Sequence, residues 1–164
     1  NIFMKYFISI LIFILINFSA SAFSLKCHFE EVHQNGDLNQ GIFFLKNDEL
    51  RYEYFDENLF TILYANKKLF VIENNKNRKA QLIENQDPII VSLLEIYKDF
   101  PDIQNLYQKN DSKLIIEKNS NNFIKRIGVL NNEMKFSIYF NDCTDIELNE
   151  GLFDFNPFIE YVSN

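Results

Sequence analysis

The stretch "LKNDELRYEYF", Leu45 to Phe55, alternates once it passes Asp48. Leu50, Tyr52 and Tyr54 fall on one face of an extended chain, and Arg51 and Glu53 on the other. A period of two is that of a β-strand with one dry and one wet face. Asn47-Asp48 supplies the turn before it, because both residues tolerate left-handed and Asx-turn geometry. The dry face is aromatic, and the same texture returns along most of the chain.

Turn signals recur at short intervals on both sides of this strand. They are Asn35-Gly36-Asp37, Asn47-Asp48, Asp56-Glu57-Asn58, Asn66-Lys67-Lys68, Asn74-Asn75, Asn110-Asp111, Asn119 to Asn122, Asn131-Asn132 and Asn141-Asp142. Between them lie runs of β type at 25–34, 38–46, 49–55, 60–65, 69–73, 79–84, 113–118, 122–129, 134–141 and 152–156. Short runs separated by turns predict an antiparallel meander. One segment departs from the pattern, "DPIIVSLLEIYKDFPDIQNLY" from Asp87 to Tyr107. Asp87 is suited to an N-cap and Pro88 to the first helical position. Ile90, Leu93, Leu94 and Tyr97 then recur at helical spacing, and Pro101 is expected to start a second short helix carrying Ile103, Leu106 and Tyr107. The fold expected is therefore mainly β (α+β), with a helical insertion in mid-chain.

Length and composition bound the rest. The 164 residues are 47% hydrophobic and 16% aromatic, enough for one domain with a sizeable core and too few for two. Residues 1–22 read as a cleaved secretory signal: Met4-Lys5, an apolar run from Tyr6 to Phe18, then Ala20-Ser21-Ala22. The run is short for a membrane span. Asn1 to Phe3 precede the first Met and are read as lying upstream of the start. The single domain then covers 23–164 and is exported. It carries 15 basic against 23 acidic residues, a net charge of −8. A chain of that sign repels nucleic acid and anionic lipid surfaces.

Cys27 and Cys143 both fall in the exported part, where a disulfide persists. Such a bridge would close a loop of about 116 residues and contribute on the order of 4–5 kcal/mol in the chain-entropy model. Two buried thiols, or lipidation of Cys27, are the alternatives; Lys26 just before Cys27 disfavours the last. His28 and His33 lie five apart, so a strand puts them on opposite faces and they do not share a metal. No nucleophile elbow, phosphate loop or zincin motif is present in the sequence, and neither catalysis nor a cofactor is expected.

What remains is a greasy sheet. If the runs pair as hairpins, Phe43, Leu45, Leu50, Tyr52, Tyr54, Phe60, Ile62, Tyr64, Leu69, Val71, Met134, Phe136, Ile138 and Phe140 share one surface. Either the sheet closes on itself as a packed barrel, or it curves into a trough that the helical segment lids.

Three stretches resemble the periplasmic outer-membrane lipoprotein carrier (LolA) family, in particular its α-proteobacterial members. The first is "GIFFLKNDELRYEY", Gly41 to Tyr54, in which Gly41, Lys46, Leu50, Arg51, Tyr52, Glu53 and Tyr54 fit the family pattern and Asn47-Asp48 replaces Pro-Gly. The second is "DPIIVSLL", Asp87 to Leu94, similar to the family's Thr-Pro-Leu entry to its central helix. The third runs from Glu133 to Phe158, where Phe140-Asn141-Asp142, Leu152-Phe153-Asp154-Phe155 and Pro157 follow the family's order. Ala65-Asn66-Lys67 stands where the family has Ala-Asp-Gly, and only Phe23 to His28 separate Ala22 from Phe29, so the family's N-terminal helix has no counterpart.

The resemblance implies an unclosed antiparallel half-barrel with a hydrophobic cavity for lipoprotein acyl chains. The cavity would be lined by Phe43, Leu45, Leu50, Tyr52, Tyr54, Phe60, Ile62, Tyr64, Phe136, Ile138 and Phe140. Ile90, Leu93, Leu94, Tyr97 and Leu106 would form its lid, and Lys46 would be the basic residue at its mouth. It also implies the partners: an inner-membrane lipoprotein transporter that hands cargo over, and an outer-membrane receptor that takes it. The chain is expected to do this as a monomer in the periplasm. The alternatives are a membrane-anchored receptor of the same fold, held at Cys27, and a β-domain with a packed interior that acts as an adaptor. Full burial of a triacylated anchor would gain tens of kcal/mol at about 0.8 kcal/mol per methylene, beyond any non-covalent affinity. A carrier is therefore expected to take its cargo in only partly.

Overall fold

The alternation at Leu50 belongs to a sheet whose first and last strands meet in its middle. The computed structural model describes residues 23–76, 78–84, 89–131 and 135–154. Within them the strands are β1 (Ser24–His33), β2 (Leu38–Lys46), β3 (Glu49–Tyr54), β4 (Phe60–Ala65), β5 (Lys68–Glu73), β6 (Ala80–Ile83), β7 (Leu106–Lys109), β8 (Ser112–Lys118), β9 (Ile124–Leu130) and β10 (Lys135–Asp145). They form one ten-stranded sheet in the order β6-β5-β4-β3-β2-β1-β10-β9-β8-β7, every neighbouring pair antiparallel. The sheet is unclosed: β6 and β7 are its two edges. The half-barrel expectation holds, and the closed barrel is not formed.

The predicted turns explain the hairpins. Asn47, Asn66, Lys67, Asn110 and Asn122 all take positive φ, the region that Asn adopts more readily than most residues. Asp142 does so within β10 at φ 52°, where a register shift places Asp142 and Cys143 opposite Cys27. This is a β-bulge, which bends the strand that carries it. The disulfide Cys27–Cys143 bridges the two strands there.

Between β6 and β7 the chain makes a 3-10 turn at Ile89–Val91 and the helix α1, Ser92–Lys98. Glu95 in its first turn and Lys98 in its last oppose the helix dipole favourably. Leu93, Leu94, Ile96 and Tyr97 are buried against the concave side of the sheet. A second, smaller cluster lies on the convex side, where Leu148 and Phe153 of the C-terminal tail cover Phe44, Leu63, Ala65 and Ile72. No described helix is long and apolar enough to cross a membrane.

Four expectations are corrected. The second helix after Pro101 is absent; Leu106–Lys109 is instead the edge strand β7, paired with β8. The spacing of Ile103, Leu106 and Tyr107 fits a helix, but three positions cannot outweigh the backbone pairing that β8 offers. Leu106 is 58% exposed on that edge and is no part of a lid. Of the expected strand at 152–156, the described residues 152–154 form no strand: Leu152 ends a 3-10 turn at Glu150–Leu152, started by the Asn149 side chain, which accepts the Gly151 N–H. Arg51, expected in water, is buried on the convex face beneath the tail, with Glu53 Oε2 2.9 Å from its Nε. The signal peptide (1–22), the Asp87 cap, Pro88, Met134 and the Phe155–Phe158 part of the tail lie outside the described residues.

Gly41 sits opposite Phe29, and a Cβ built there would come 2.3 Å from Cζ of that ring and 2.1 Å from the Glu53 carbonyl oxygen. Gly41→Ala is expected to cost about 3 kcal/mol, read as a lower urea midpoint with unchanged slope. Replacing both Cys27 and Cys143 by Ser frees a loop of 116 residues and is expected to cost about 4 kcal/mol in the same assay. Loss of less than 1 kcal/mol in either would refute the respective role.

Candidate functional site on the concave face

Odd-numbered residues of β1 and β2, even-numbered residues of β3 and β4, and Phe136, Ile138 and Phe140 of β10 point into the concavity; past the bulge at Asp142 the parity of β10 changes and Cys143 takes that face. Phe29 lies over Gly41 and stacks on Tyr52, with ring centroids 3.8 Å apart. Tyr54 meets both rings edge-on. Phe43 packs against Phe140 at 5.6 Å and against Tyr97 of α1 at 6.4 Å. Offset and T-shaped contacts of this kind add about 0.5–1.5 kcal/mol each to area burial.

A buried charged side chain shares this face. Glu31 is 6% exposed, and Oε2 of its carboxylate accepts from the hydroxyls of Tyr54 (2.6 Å) and Tyr52 (3.3 Å). Its Oε1 lies 3.1 Å from His33 Nε2, and the His33 ring stacks on Phe136. A buried carboxylate is tolerable only with such partners. Burial first, and Glu31 second, hold the protons of Tyr52 and Tyr54 well beyond the ordinary tyrosine range. Burial does the same for Tyr97.

α1 closes the concavity from above. Tyr97 stacks on Phe23, and Phe23, Phe100 and Phe123 continue the ring column toward β9. Among the described residues the side-chain polar ties of the helix lie at the surface: ion pairs from Lys98 to Asp48 and from Glu95 to Lys109, both at 3.1 Å, and at its C-cap the Tyr107 hydroxyl, which donates to Asp99 Oδ2 at 2.7 Å. Exposed pairs contribute at most about 1 kcal/mol. The buried Ser92 Oγ and Tyr97 hydroxyl make no hydrogen bond of normal geometry among the described residues, although the Ile124 backbone lies near the latter. The helix is thus held by apolar contact far more than by polar bonds. Two hollows flank it. One, of about 300 Å³, is lined by Phe23, Leu45, Leu94, Tyr97 and Phe100; the other, of about 480 Å³, by Tyr64, Val91, Leu94 and the polar residues of two hairpin turns. Asp48 and Lys98 stand at the rim of both.

Of the residues expected to line a cavity, Phe43, Leu45, Leu50, Tyr52, Ile62, Ile138 and Phe140 are buried in one cluster, with Tyr54, Tyr64 and Phe136 packed at its margin. Phe60 is at the rim, 37% exposed, and touches the Tyr54 ring. Ile90, Leu93, Leu94 and Tyr97 join the cluster from the helical segment; Leu106 does not. The space behind Tyr52 is filled by Phe29, and the open volume lies at the flanks of α1. Lys46 points to the convex side, where its Nζ donates to the Leu148 carbonyl at 3.2 Å, so it does not stand at the mouth of the concavity. Glu31 was missed, though its sequence carried a signal: Phe29, Glu31 and His33 share one strand face, and a carboxylate between two rings on a dry face needs partners.

The chain matches no known family model, and no curated protein is significantly similar to it.

The tyrosines make a pH prediction. An unfolded tyrosine loses its proton near pH 10. Tyr52 and Tyr97 keep theirs in the folded chain, so above pH 10 the folded state binds more protons than the unfolded one. Their contribution is whole below pH 10 and is lost above it, at up to about 1.4 kcal/mol per pH unit for each group. Melts between pH 9 and 12 are expected to show this fall, and Tyr52→Phe to make it shallower. An equal slope in the variant would refute the assignment.

Proposed function

We propose that the protein is an exported lipid-binding carrier of the LolA type, which takes acyl chains of lipoproteins between the half-barrel and its helix without covalent chemistry or a cofactor. The observation that supports this reading most is the cover itself. The apolar concavity of an unclosed sheet is filled by one seven-residue helix, whose described side-chain polar ties, two ion pairs and the Tyr107–Asp99 hydrogen bond at its C-cap, all lie at the surface. An apolar plug held this way is exchangeable for another apolar group of similar size. The flanking hollows, with Leu94 common to both, give an acyl chain its points of entry. On this reading the chain works as a periplasmic monomer between an inner-membrane transporter and an outer-membrane receptor, the partners implied by the resemblance.

A receptor anchored through Cys27 does not fit, because the Cys27 sulfur is bonded to Cys143 and is not available for a thioether. A second reading, a packed β-domain acting as an adaptor, is favoured by one observation: Tyr52 is 1% exposed and lies against Phe29.

Titration with a fluorescent fatty-acyl probe separates the two. A carrier is expected to bind the probe at micromolar concentration, and Leu94→Ala, which widens both hollows, to bind it severalfold more tightly while keeping its native circular dichroism. Wild-type binding no stronger than that of a control protein would sink the carrier reading in favour of the packed domain.

A further inference from the structure

The convex side of β2–β5 carries a second apolar surface, formed by Phe44, Leu63, Ala65 and Ile72, with Ile42 and Phe70 beside them. What covers it is the chain's own tail, residues 146–154. The tail does not add a strand. Its backbone–backbone hydrogen bonds, Leu152 N–H to Asn149 C=O and Phe153 N–H to Glu150 C=O, are local. Side chains of the sheet catch its carbonyls instead: the Ser24 hydroxyl donates to Ile146, Lys46 Nζ to Leu148 at 3.2 Å, and Arg51 Nη1 to Leu152 at 3.4 Å. Leu148 and Phe153 are its two buried anchors, five positions apart. Between them Glu150 faces Lys46, with Oε1 3.7 Å from Nζ.

This is how a groove holds a peptide: side-chain donors on main-chain oxygens, two apolar pockets and one charge match. The fit of the tail is incomplete. A hollow of about 460 Å³ remains among Lys46, Glu147, Leu148, Asn149 and Glu150. Glu49 lies close to Glu150 and Asp154, and burial followed by these carboxylates raises its proton affinity, with Lys46 opposing them. A further hollow of about 150 Å³ shares Arg51 and Ile72 with this surface, and its wall also carries Glu53, Glu57, Glu73 and Arg78.

We propose that the convex face of β2–β5 is a peptide-docking groove, occupied by the chain's own tail as an internal pseudo-ligand, and that its partner is a protein presenting an irregular segment of the form Leu-x-acidic-x-x-Phe. The tail sets the recognition code, because Leu148, Glu150 and Phe153 show which side chains the groove accepts. A partner displaces the tail by making the same contacts: two apolar anchors, main-chain oxygens on Ser24, Lys46 and Arg51, and a carboxylate facing Lys46. The proposal does not depend on what the concave face carries.

The test uses the full chain with Leu148→Ala and Phe153→Ala, which release the tail, and a labelled peptide of the sequence Asp145 to Asp154. In the wild-type protein the tail competes at an effective concentration in the millimolar range. The double variant is therefore expected to bind the peptide at least about tenfold more tightly than wild type. Adding Lys46→Glu and Arg51→Glu is expected to abolish binding. A double variant that keeps its β-sheet circular dichroism yet binds no better than wild type overturns the proposal. So does one that fails to fold, since a cover the sheet cannot lose is not exchangeable. A concentration-dependent wild-type dimer that the double variant loses would assign the groove to tail exchange between two copies, and would also overturn it.

Discussion

The pairing of β1 with β10 governs the rest of the architecture. Because the first and last strands meet in the middle of the sheet, its free edges fall on β6 and β7, which are consecutive in the chain. The segment between them has to cross the open side of the half-barrel. A crossing in extended form would place unpaired backbone groups over an apolar surface. A helix satisfies its own backbone and offers an apolar stripe, so α1 covers the concavity with four buried apolar side chains in about 10 Å of length. The Cys27–Cys143 bridge lies on the same strand pair, at the bulge that bends β10.

Most of this was legible in the sequence because it rests on local patterns. Asn-rich turns and period-two runs located β1–β6 and β8–β10 to within one or two residues at most ends, and the 3.6-residue spacing located α1. Two segments were assigned the wrong structure for one reason. Leu106–Lys109 and Leu152–Asp154 are too short for their own periodicity to decide, and their outcome depends on a neighbour distant in sequence. For β7 that neighbour is β8; for the tail it is the convex face of β2–β5. Lys46 and Arg51 were misplaced through the same gap, because a polar residue on the outer face looks solvent-exposed until something covers it. The burial of Glu31 was legible only in part: strand parity put it on the dry face, but its bond to Tyr54 spans 23 residues.

The tail changes what the surplus of apolar residues means. Phe44, Leu63, Phe70 and Ile72 do not face the concavity at all; they are the floor of the outer cluster. Part of the greasiness that suggests a ligand pocket therefore reflects a sheet that is apolar on both sides in its first half. The inner face is left with a smaller excess, and Phe29, Tyr52 and the helix take up much of it. On the carrier reading proposed above, a volume for acyl chains would be created by displacement rather than found ready-made.

The size of that displacement limits the cargo. Four buried apolar side chains of α1 contribute about 1.5–3 kcal/mol each, on the order of 6–12 kcal/mol in all. An inserted acyl chain returns about 0.8 kcal/mol per methylene, so roughly 8–15 methylenes offset the helix they replace. If the protein is such a carrier, a single chain of ordinary length would balance the plug closely, and net affinity would stay small enough for release. A second and third chain would find no further plug to displace, since the next layer is the Phe29–Tyr52 stack and the Glu31 hydrogen bonds, and opening it would leave a buried carboxylate without its partners. A plugged half-barrel with this core fits partial uptake of one chain better than engulfment of a whole anchor.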